Sequence, residues 1–156
     1  MRTSLAEVAR LSDIAVREAR ADLVRAVRQA AASGMTQAEI AREIGRSQPE
    51  VSRLLRFHGT SPLARTLRAA RAEVLRAIRA AGGDDVRVFG SVATGQDHPG
   101  SDVDLLFTMG RPLSLIELGQ LEERIAGVVG ADVDLVPDSS LRPALRDRVL
   151  AEAVPL

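Results

Sequence analysis

The spacing of apolar residues changes once along the chain, at Gly82-Gly83. Before this pair, apolar residues recur every three or four positions, which is the period of an amphipathic helix. After it, short runs rich in valine and other apolar residues that favour strands, such as Val86–Phe89 and Val103–Phe107, alternate with helical segments. This pattern is typical of a domain with both helices and strands. The sequence therefore predicts an α+β protein, in which an all-α N-terminal region precedes a small α/β domain with a short mixed sheet.

The same periodicity, punctuated by Gly, Pro and Ser, predicts where the elements lie. The predicted helices are Leu5–Ala32, which is one helix or two, and Thr36–Ile44, Ser47–Phe57, Leu63–Ala81, Leu115–Val128 and Leu141–Ala151. The predicted strands are Val86–Phe89, Val103–Phe107 and Val133–Val136. The clearest linker is Gly59-Thr60-Ser61-Pro62, so we expect one domain over residues 1–60 and a second over residues 61–156.

Charge is distributed unevenly between these two parts, although the whole chain has a formal net charge of zero. Residues 1–83 contain fifteen Arg against eight Asp and Glu, a balance of +7, whereas residues 84–156 contain six Arg against thirteen, a balance of −7. A basic surface suits a polyanion such as nucleic acid, and several aspartates in an acidic part suit a divalent metal. Two different functions are therefore expected in the two parts.

Several residue types are missing from the composition, and their absence excludes whole classes of site. The chain contains no cysteine, which excludes disulfides, iron–sulfur clusters and thiolate zinc sites. All 21 basic residues are arginine, which excludes a Schiff-base lysine and a Walker-type phosphate loop. No apolar run approaches the roughly 20 residues of a membrane helix, and no secretory signal follows Met1, so a cytoplasmic protein is expected.

The segment from Thr36 to Leu55 has the spacing of a helix-turn-helix. Ala41 is small where two helices cross closely, and Gly45 supplies the left-handed residue of the turn. Ser47, with a glutamate three residues later, forms a capping box for the second helix. The segment resembles the Cro/repressor type of helix-turn-helix, with Arg46 as a departure where that family usually has an aliphatic residue.

This resemblance implies that the second helix enters the major groove of double-stranded DNA. The contacts would come from its early and outward positions, namely Ser47, Gln48, Pro49, Ser52, Arg53 and Arg56. Arg53 is the candidate for a base contact and Arg56 for a phosphate contact. The alternative is a helical hairpin that serves only packing. Because a single helix-turn-helix binds weakly, a homodimer is expected, paired through the long helix before Ala32.

The acidic part contains Phe89-Gly90-Ser91, then ten residues, then Asp102-Val103-Asp104. A strand that ends in Gly-Ser and opens a short helix leaves backbone N–H groups free to bind a triphosphate. Asp102 and Asp104 are two apart on a predicted strand, so their carboxylates project from one face about 7 Å apart, which suits a pair of Mg²⁺ ions. Asp134 offers a third carboxylate, with Asp132 as the alternative. A solvated turn explains one of these aspartates but not the set, because Asp104 lies between apolar residues.

This pattern resembles the minimal nucleotidyltransferases of the polymerase-beta-like superfamily, over residues 61–156, in the form found in antitoxins paired with HEPN toxins. The resemblance implies Mg²⁺ as cofactor and ATP or another NTP as substrate. It implies that Gly90 and Ser91 bind the nucleotide and that the catalytic and metal-binding residues are Asp102, Asp104 and Asp134. Thr94 is a departure, because many members of the family have arginine there.

Two functions follow as predictions. In the first, the chain is a Mg-dependent nucleotidyltransferase that transfers AMP from ATP to a protein hydroxyl, and the resemblance implies that the acceptor is a HEPN-type toxin. The protein would then be the antitoxin of a toxin–antitoxin system and would regulate its own operon through the helix-turn-helix. In the second, it is a transcriptional regulator whose nucleotidyltransferase domain only binds nucleotide or a partner.

Overall fold

A computed structural model of the protein describes residues 4–156. It has the predicted class, since an all-helical N-terminal region precedes a small domain with a four-stranded mixed sheet. The chain divides into two compact units, of which the first ends at Leu55 and the second is Arg56–Leu156. Within residues 4–156, none of the helices is both long enough and apolar enough to cross a membrane.

The first unit contains three helices, α1 (Leu5–Ala32), α2 (Gln37–Ile44) and α3 (Gln48–Leu55). The predicted segment Leu5–Ala32 is therefore one continuous helix, and it is capped by Ser4, whose Oγ accepts a hydrogen bond of 3.1 Å from the Glu7 N–H. A small core joins the three helices, formed by Val27, Ile40, Ala41 and Val51. The Arg28 Nε also donates to the Leu54 carbonyl at 3.3 Å, so both side chains and backbone fix α1 against α3.

The connection between α2 and α3 follows from its local chemistry. Thr36 and Glu39 form a reciprocal capping box at the start of α2. Gly45 ends α2 in the left-handed conformation, with φ of 67°, which costs a residue without a Cβ little. Ser47 then opens α3, because its N–H and hydroxyl both donate to the Glu50 carboxylate, at 2.9 and 2.8 Å. The result is a tight helical hairpin.

The second unit begins with residues that pack against its sheet. Phe57 is buried in the core of this unit, and its N–H donates to the Pro155 carbonyl at 2.8 Å. Two helices follow, α4 (Pro62–Ala69) and α5 (Arg71–Ala80). The prediction of a single helix over Leu63–Ala81 was wrong, since the helix breaks at Ala70, a position that the sequence marks with neither glycine nor proline.

The remaining elements alternate strands and helices. The strands are β1 (Gly83–Phe89), β2 (Val103–Met109), β3 (Val133–Pro137) and β4 (Val154–Pro155). The helices are α6 (Gly90–Thr94), α7 (Leu115–Val129) and α8 (Pro143–Glu152), and a 3₁₀ turn covers Asp138–Ser140. All three predicted strands are present, each one to three residues longer than expected, and β4 was not predicted.

The strand order is β3-β2-β1-β4, with β2 and β3 parallel and the other pairs antiparallel. One face of the sheet packs against α5 and α7 through side chains such as Val88, Leu105 and Leu135, which are paired across β1, β2 and β3. Because successive side chains of a strand point to opposite faces, the neighbouring row of Phe89, Asp104 and Asp134 points to the other face. This second face carries the candidate site.

Candidate active site

Sheet register brings two of the predicted carboxylates side by side. Asp104 in β2 is the direct partner of Asp134 in β3 and of Phe89 at the end of β1. Asp102 lies immediately before β2 and, like Asp134, is exposed to solvent, whereas Asp104 is half-buried. The structure therefore places the three aspartates at one end of the sheet, with Asp104 as the central and least exposed member. Asp102, Asp104 and Asp134 are called the carboxylate row below.

Gly90 allows the backbone to pass directly beside the Asp104 carboxylate. Gly90 begins α6 with φ of +73°, a conformation that favours glycine. A Cβ built at this position would overlap Oδ2 of Asp104 and lie 3.1 Å from its Cγ. Both the backbone conformation and the contact therefore require glycine, and the start of α6 lies against the carboxylate row.

The environment of Asp104 raises the pKa of its carboxyl group from an ordinary value of 3.8 to about 6. Burial is the largest cause, and repulsion from the Asp134 and Asp102 carboxylates adds to it. A cation placed among the three groups would relieve that repulsion. The electrostatics of the site thus fit a positively charged ligand.

The donor chemistry also fits Mg²⁺, since carboxylate oxygens are the ligands that this hard cation prefers. The glycine at position 90 leaves open the space in which a Cβ would otherwise meet Asp104. In the part of the chain that the structure describes, however, no three His, Cys, Asp or Glu side chains are gathered closely enough to hold an ion. The assignment of Asp102, Asp104 and Asp134 as metal ligands accordingly stays a prediction.

Ser91 is half-buried in the first turn of α6, next to Gly90. The departure at position 94 has a clear structural outcome, because the Thr94 hydroxyl donates to the Gly90 and Ser91 carbonyls at 3.2 and 3.3 Å. Thr94 therefore turns back on its own helix. The side chain at position 94 therefore places no positive charge beside Ser91.

Two charged residues near the carboxylate row were missed by the sequence analysis. The Glu122 Oε1 in α7 accepts a hydrogen bond of 2.9 Å from the Leu135 N–H, directly after Asp134. Arg87 points to the same sheet face as Asp104 and lies 3.2 Å from Asp85 and 3.9 Å from Asp138. The contacts of Glu122 and of Arg87 with Asp138 join segments that are distant in sequence, and the contact of Arg87 with Asp85 lies at an irregularity of β1. No local sequence pattern could have indicated them.

An open cleft of about 710 Å³ lies near the start of β2 and β3. Its lining includes Asp132, the alternative third carboxylate, together with Asp97 and Ser101, but not Asp102, Asp104 or Asp134. Among the described residues, Oδ1 of Asp97 is a buried atom that lacks a hydrogen-bond partner. The strand register pairs Asp104 directly with Asp134 and not with Asp132, which favours Asp134 as the member of the carboxylate set.

The predicted DNA-contacting residues are brought together in part. Gln48, Pro49 and Arg53 are exposed on α3, and Ser52 is half-buried there. The Ser47 hydroxyl is engaged with Glu50 at the helix start. Arg56 lies beyond the end of α3, in the second compact unit. The described structure therefore presents a polar helix surface with Arg53 at its centre, whereas Arg56 belongs to the other unit.

Comparison with known proteins finds matches to the part of the chain that contains the carboxylates. Residues 71–156 match the family described as nucleotidyltransferase domain. The chain is 39% identical over 70 residues to the protein adenylyltransferase MntA of Thermococcus cleftensis, and the match covers 45% of this chain and 71% of that protein. It is also 39% identical over 67 residues to MJ0435 of Methanocaldococcus jannaschii, assigned as a protein adenylyltransferase, and the match covers 43% of this chain and 72% of that protein.

Two solved structures resemble the same part of the chain. One, assigned as a minimal nucleotidyltransferase, is 42% identical with a TM-score of 0.54, and the match covers 59% of this chain and 94% of that one. The other is a crystal structure of a toxin–antitoxin with AMP-PNP, 25% identical with a TM-score of 0.50, and the match covers 56% and 69%.

Proposed function

Because this chain belongs to the nucleotidyltransferase domain family, we propose that it transfers AMP from ATP to a hydroxyl group of a protein. The observation that carries this proposal is the contact of Gly90 with Asp104, in a row that also contains Asp134. A chain that bends at a glycine beside paired carboxylates can bring a triphosphate and its counter-ions to one place. Relatives that are named protein adenylyltransferases support AMP as the transferred group and a protein as the acceptor.

In this proposal the predicted residues have two roles, nucleotide binding and metal binding. Gly90 and Ser91 bind the triphosphate through backbone N–H groups and the serine hydroxyl, and so orient it for in-line attack. Asp102, Asp104 and Asp134 would hold Mg²⁺. When bound, the ion would supply neutralisation of the triphosphate charge and a lower pKa of the acceptor hydroxyl.

We further propose that the acceptor is a HEPN-type toxin and that the protein is its antitoxin. The support is the likeness of the second unit to a structure of a toxin–antitoxin with AMP-PNP. A macromolecular acceptor also agrees with the exposure of Asp102 and Asp134, because a protein hydroxyl can reach an open row of carboxylates without passing through a tunnel.

The test uses the full chain, Mg²⁺, [α-³²P]ATP and the protein product of the neighbouring gene. We expect label in the partner protein, and none when [γ-³²P]ATP is used, because the transferred group contains the α-phosphate. Asp104→Asn should abolish the labelling, whereas the matched variant Asp132→Asn should retain it, since Asp132 lines a different cleft. Unchanged labelling by Asp104→Asn would contradict the proposed site.

A second function is favoured by the hairpin of the first unit. We propose that α2 and α3 form a helix-turn-helix that binds double-stranded DNA as a homodimer. The supporting observation is the left-handed Gly45 between two capped eight-residue helices, with exposed Gln48 and Arg53 on the second. The alternative, a hairpin that serves only packing, predicts no DNA affinity beyond charge attraction.

Binding to a fragment that contains the protein's own promoter distinguishes these alternatives. Arg53→Ala should weaken binding to this fragment by roughly 1–3 kcal/mol and affect random DNA much less. Arg148→Ala, which removes an exposed arginine of α8, is the control, and it should change both affinities little. Equal losses on both DNAs for Arg53→Ala would show that Arg53 does not contact a base.

A further inference from the structure

The change of charge along the chain does not coincide with the boundary between the two units. The first unit ends at Leu55, and residues 1–55 contain nine arginines against seven acidic residues, a balance of +2. Residues 56–83 belong to the second unit, and they contain six arginines against one acidic residue, a balance of +5. Most of the positive charge of the basic part therefore lies in the unit that carries the carboxylate row.

Five of these arginines lie on helices α4 and α5, and all five are exposed to solvent. They are Arg65, Arg68, Arg71, Arg76 and Arg79, and they are called the α4–α5 surface below. The inner side of α5 is formed by the buried residues Val74, Ala77 and Ile78. At about 100° per residue, Arg76 and Arg79 fall on the opposite side of α5. Because they are three positions apart, these two side chains are neighbours on the helix surface.

The protein itself does not neutralise the α4–α5 surface. Within residues 4–156, none of the five arginines takes part in an ion pair. Arg68 donates a hydrogen bond from Nη1 to the Gly59 carbonyl at 3.2 Å, which leaves its charge uncompensated. The two helices contain one acidic residue, Glu73. A cluster of unpaired guanidinium groups attracts a partner that carries several negative charges.

The residues between the arginines narrow the kind of partner. In the described structure, α4 and α5 expose no large apolar side chain, and small residues such as Ala69, Ala72 and Ala80 separate the charges. A helix that binds an anionic membrane inserts large apolar residues into it. A protein interface likewise needs aromatic or apolar side chains at its centre. The α4–α5 surface therefore suits a partner that charge alone can bind, and the phosphate backbone of a nucleic acid is such a partner.

We infer that the α4–α5 surface binds the phosphate backbone of double-stranded DNA, whatever its sequence. A single strand would need exposed aromatic side chains on which its bases stack, but the chain has no Trp or Tyr, and Phe57 and Phe107 are buried. Guanidinium groups bind phosphate oxygens strongly, and such contacts carry no sequence information. The choice of DNA over duplex RNA rests on the second proposed function, in which α3 of the same chain binds DNA. The nucleotidyltransferase unit would thus add a sequence-independent contribution to DNA affinity.

Fluorescence anisotropy of the full chain with a labelled random-sequence duplex, from about 50 to about 200 mM salt, tests the inference. We expect the double variant Arg76→Ala/Arg79→Ala to bind roughly tenfold more weakly at about 100 mM salt, because about two phosphate contacts are lost. The slope of log K against log salt concentration should become shallower by about 2. Alanine favours helix, so the circular dichroism spectrum should not change.

Two further double variants separate position from charge. Arg142→Ala/Arg148→Ala removes the same net charge from exposed positions at the start of α8 and within it, and it should change affinity and slope little. Arg76→Lys/Arg79→Lys keeps the charge and should keep most of the slope.

The effect of Arg76→Ala/Arg79→Ala should be equally large in the Arg53→Ala background. A failure of the helix-turn-helix proposal would therefore leave this effect in place. No binding of random DNA by the wild type at about 50 mM salt, or equal changes of slope in the α5 and α8 alanine variants, would overturn the inference. Tighter binding of a duplex RNA of the same length would also overturn it. So would unchanged DNA binding by the α5 variant together with lost binding of the neighbouring gene's product, since the partner would then be a protein.

Discussion

Gly45 and Gly90 have nearly the same backbone conformation, with φ of 67° and 73°, but they lie in different surroundings. In the described part of the chain, nothing lies within 4 Å of a Cβ built at Gly45, whereas a Cβ at Gly90 would overlap the Asp104 carboxylate. The helical unit therefore uses glycine to turn the chain. The sheet unit uses it both to turn the chain and to bring the backbone against a charged group.

The difference shows how a sequence motif can be structural in one region and chemical in another. Gly45 ends α2, and Gly90 begins α6 directly after β1, so the local pattern around both positions is that of a turn. What separates them is a residue far away in sequence, Asp104, fourteen positions after Gly90. Substitutions at the two glycines should therefore separate backbone strain from damage to the site.

The largest expected effect is that of Gly90→Ala. The left-handed backbone costs alanine roughly 1–2 kcal/mol, and the overlap with Asp104 adds about 1–3 kcal/mol. Gly45→Ala and Gly95→Ala, with φ of 67° and 74° and open space around the Cβ, should cost the strain alone. Urea unfolding measures the difference, and the labelling assay should show lost transfer for Gly90→Ala only. Equal destabilisation by all three changes would contradict a role for the contact.

A second effect concerns pH and the Asp104 carboxyl group. Its pKa is raised to about 6 in the folded protein, so folding favours the protonated form. This contribution to stability is fully present below the unfolded value of about 3.9 and is lost as pH rises through about 6. Asp104→Asn has no such loss, and without metal it should be more stable than the wild type at pH 7.5, by about 1 kcal/mol after allowance for its partial exposure.

Chemical unfolding in EDTA at several pH values measures this advantage, which should shrink steadily between pH 6 and pH 4. Asp147→Asn, an exposed change in α8, is the control and should give no comparable trend. A constant advantage of Asp104→Asn over that range would mean that its effect does not come from ionisation of the carboxyl group.

Helix caps provide a third, smaller test of how separately the two units behave. Thr36 caps α2 and Ser114 caps α7, each in a reciprocal box with a glutamate. Replacing either with alanine should cost about 1 kcal/mol. If the units unfold separately, Thr36→Ala lowers the midpoint of one calorimetric transition and Ser114→Ala that of the other. A single transition that both variants shift equally would show that the units unfold together.

The smallest expected effect on stability is that of Thr94→Arg. Thr94 is exposed and its hydrogen bonds are confined to its own short helix, so the change should alter stability by less than about 0.5 kcal/mol. On the proposed function, an added cation next to Ser91 should tighten ATP binding several-fold. Isothermal titration with a non-hydrolysable ATP analogue checks this, and weaker binding would show that Thr94 does not face the triphosphate.

Local patterns allowed much of the fold to be predicted. The hairpin was predicted because glycine and the capping residues lie within a few positions of the helices that they delimit. Strands β1 to β3 were predicted because each is a short run rich in β-branched and apolar residues. The carboxylate row was also accessible from sequence, since spacing and alternation along β2 place Asp104 on a definite face, although the roles of these residues stay predictions.

Features that depend on distant contacts could not be predicted. Strand β4 contains only Val154 and Pro155 and exists because it pairs with β1. The break at Ala70 occurs between residues that all favour helix, so propensity gave no warning. The raised pKa of Asp104 needs the register of β2 against β3 before the repulsion from Asp134 becomes visible.

Strand β3 lies at the edge of the sheet, and the Glu122 carboxylate already accepts the Leu135 N–H there. Edge strands with free N–H groups are templates on which another chain can add a strand, the usual route from a native sheet to an aggregate. A carboxylate at this position competes with an incoming backbone and places a negative charge in its path. The residue that binds the β3 backbone next to Asp134 thus also leaves one fewer N–H group at this edge for an incoming strand.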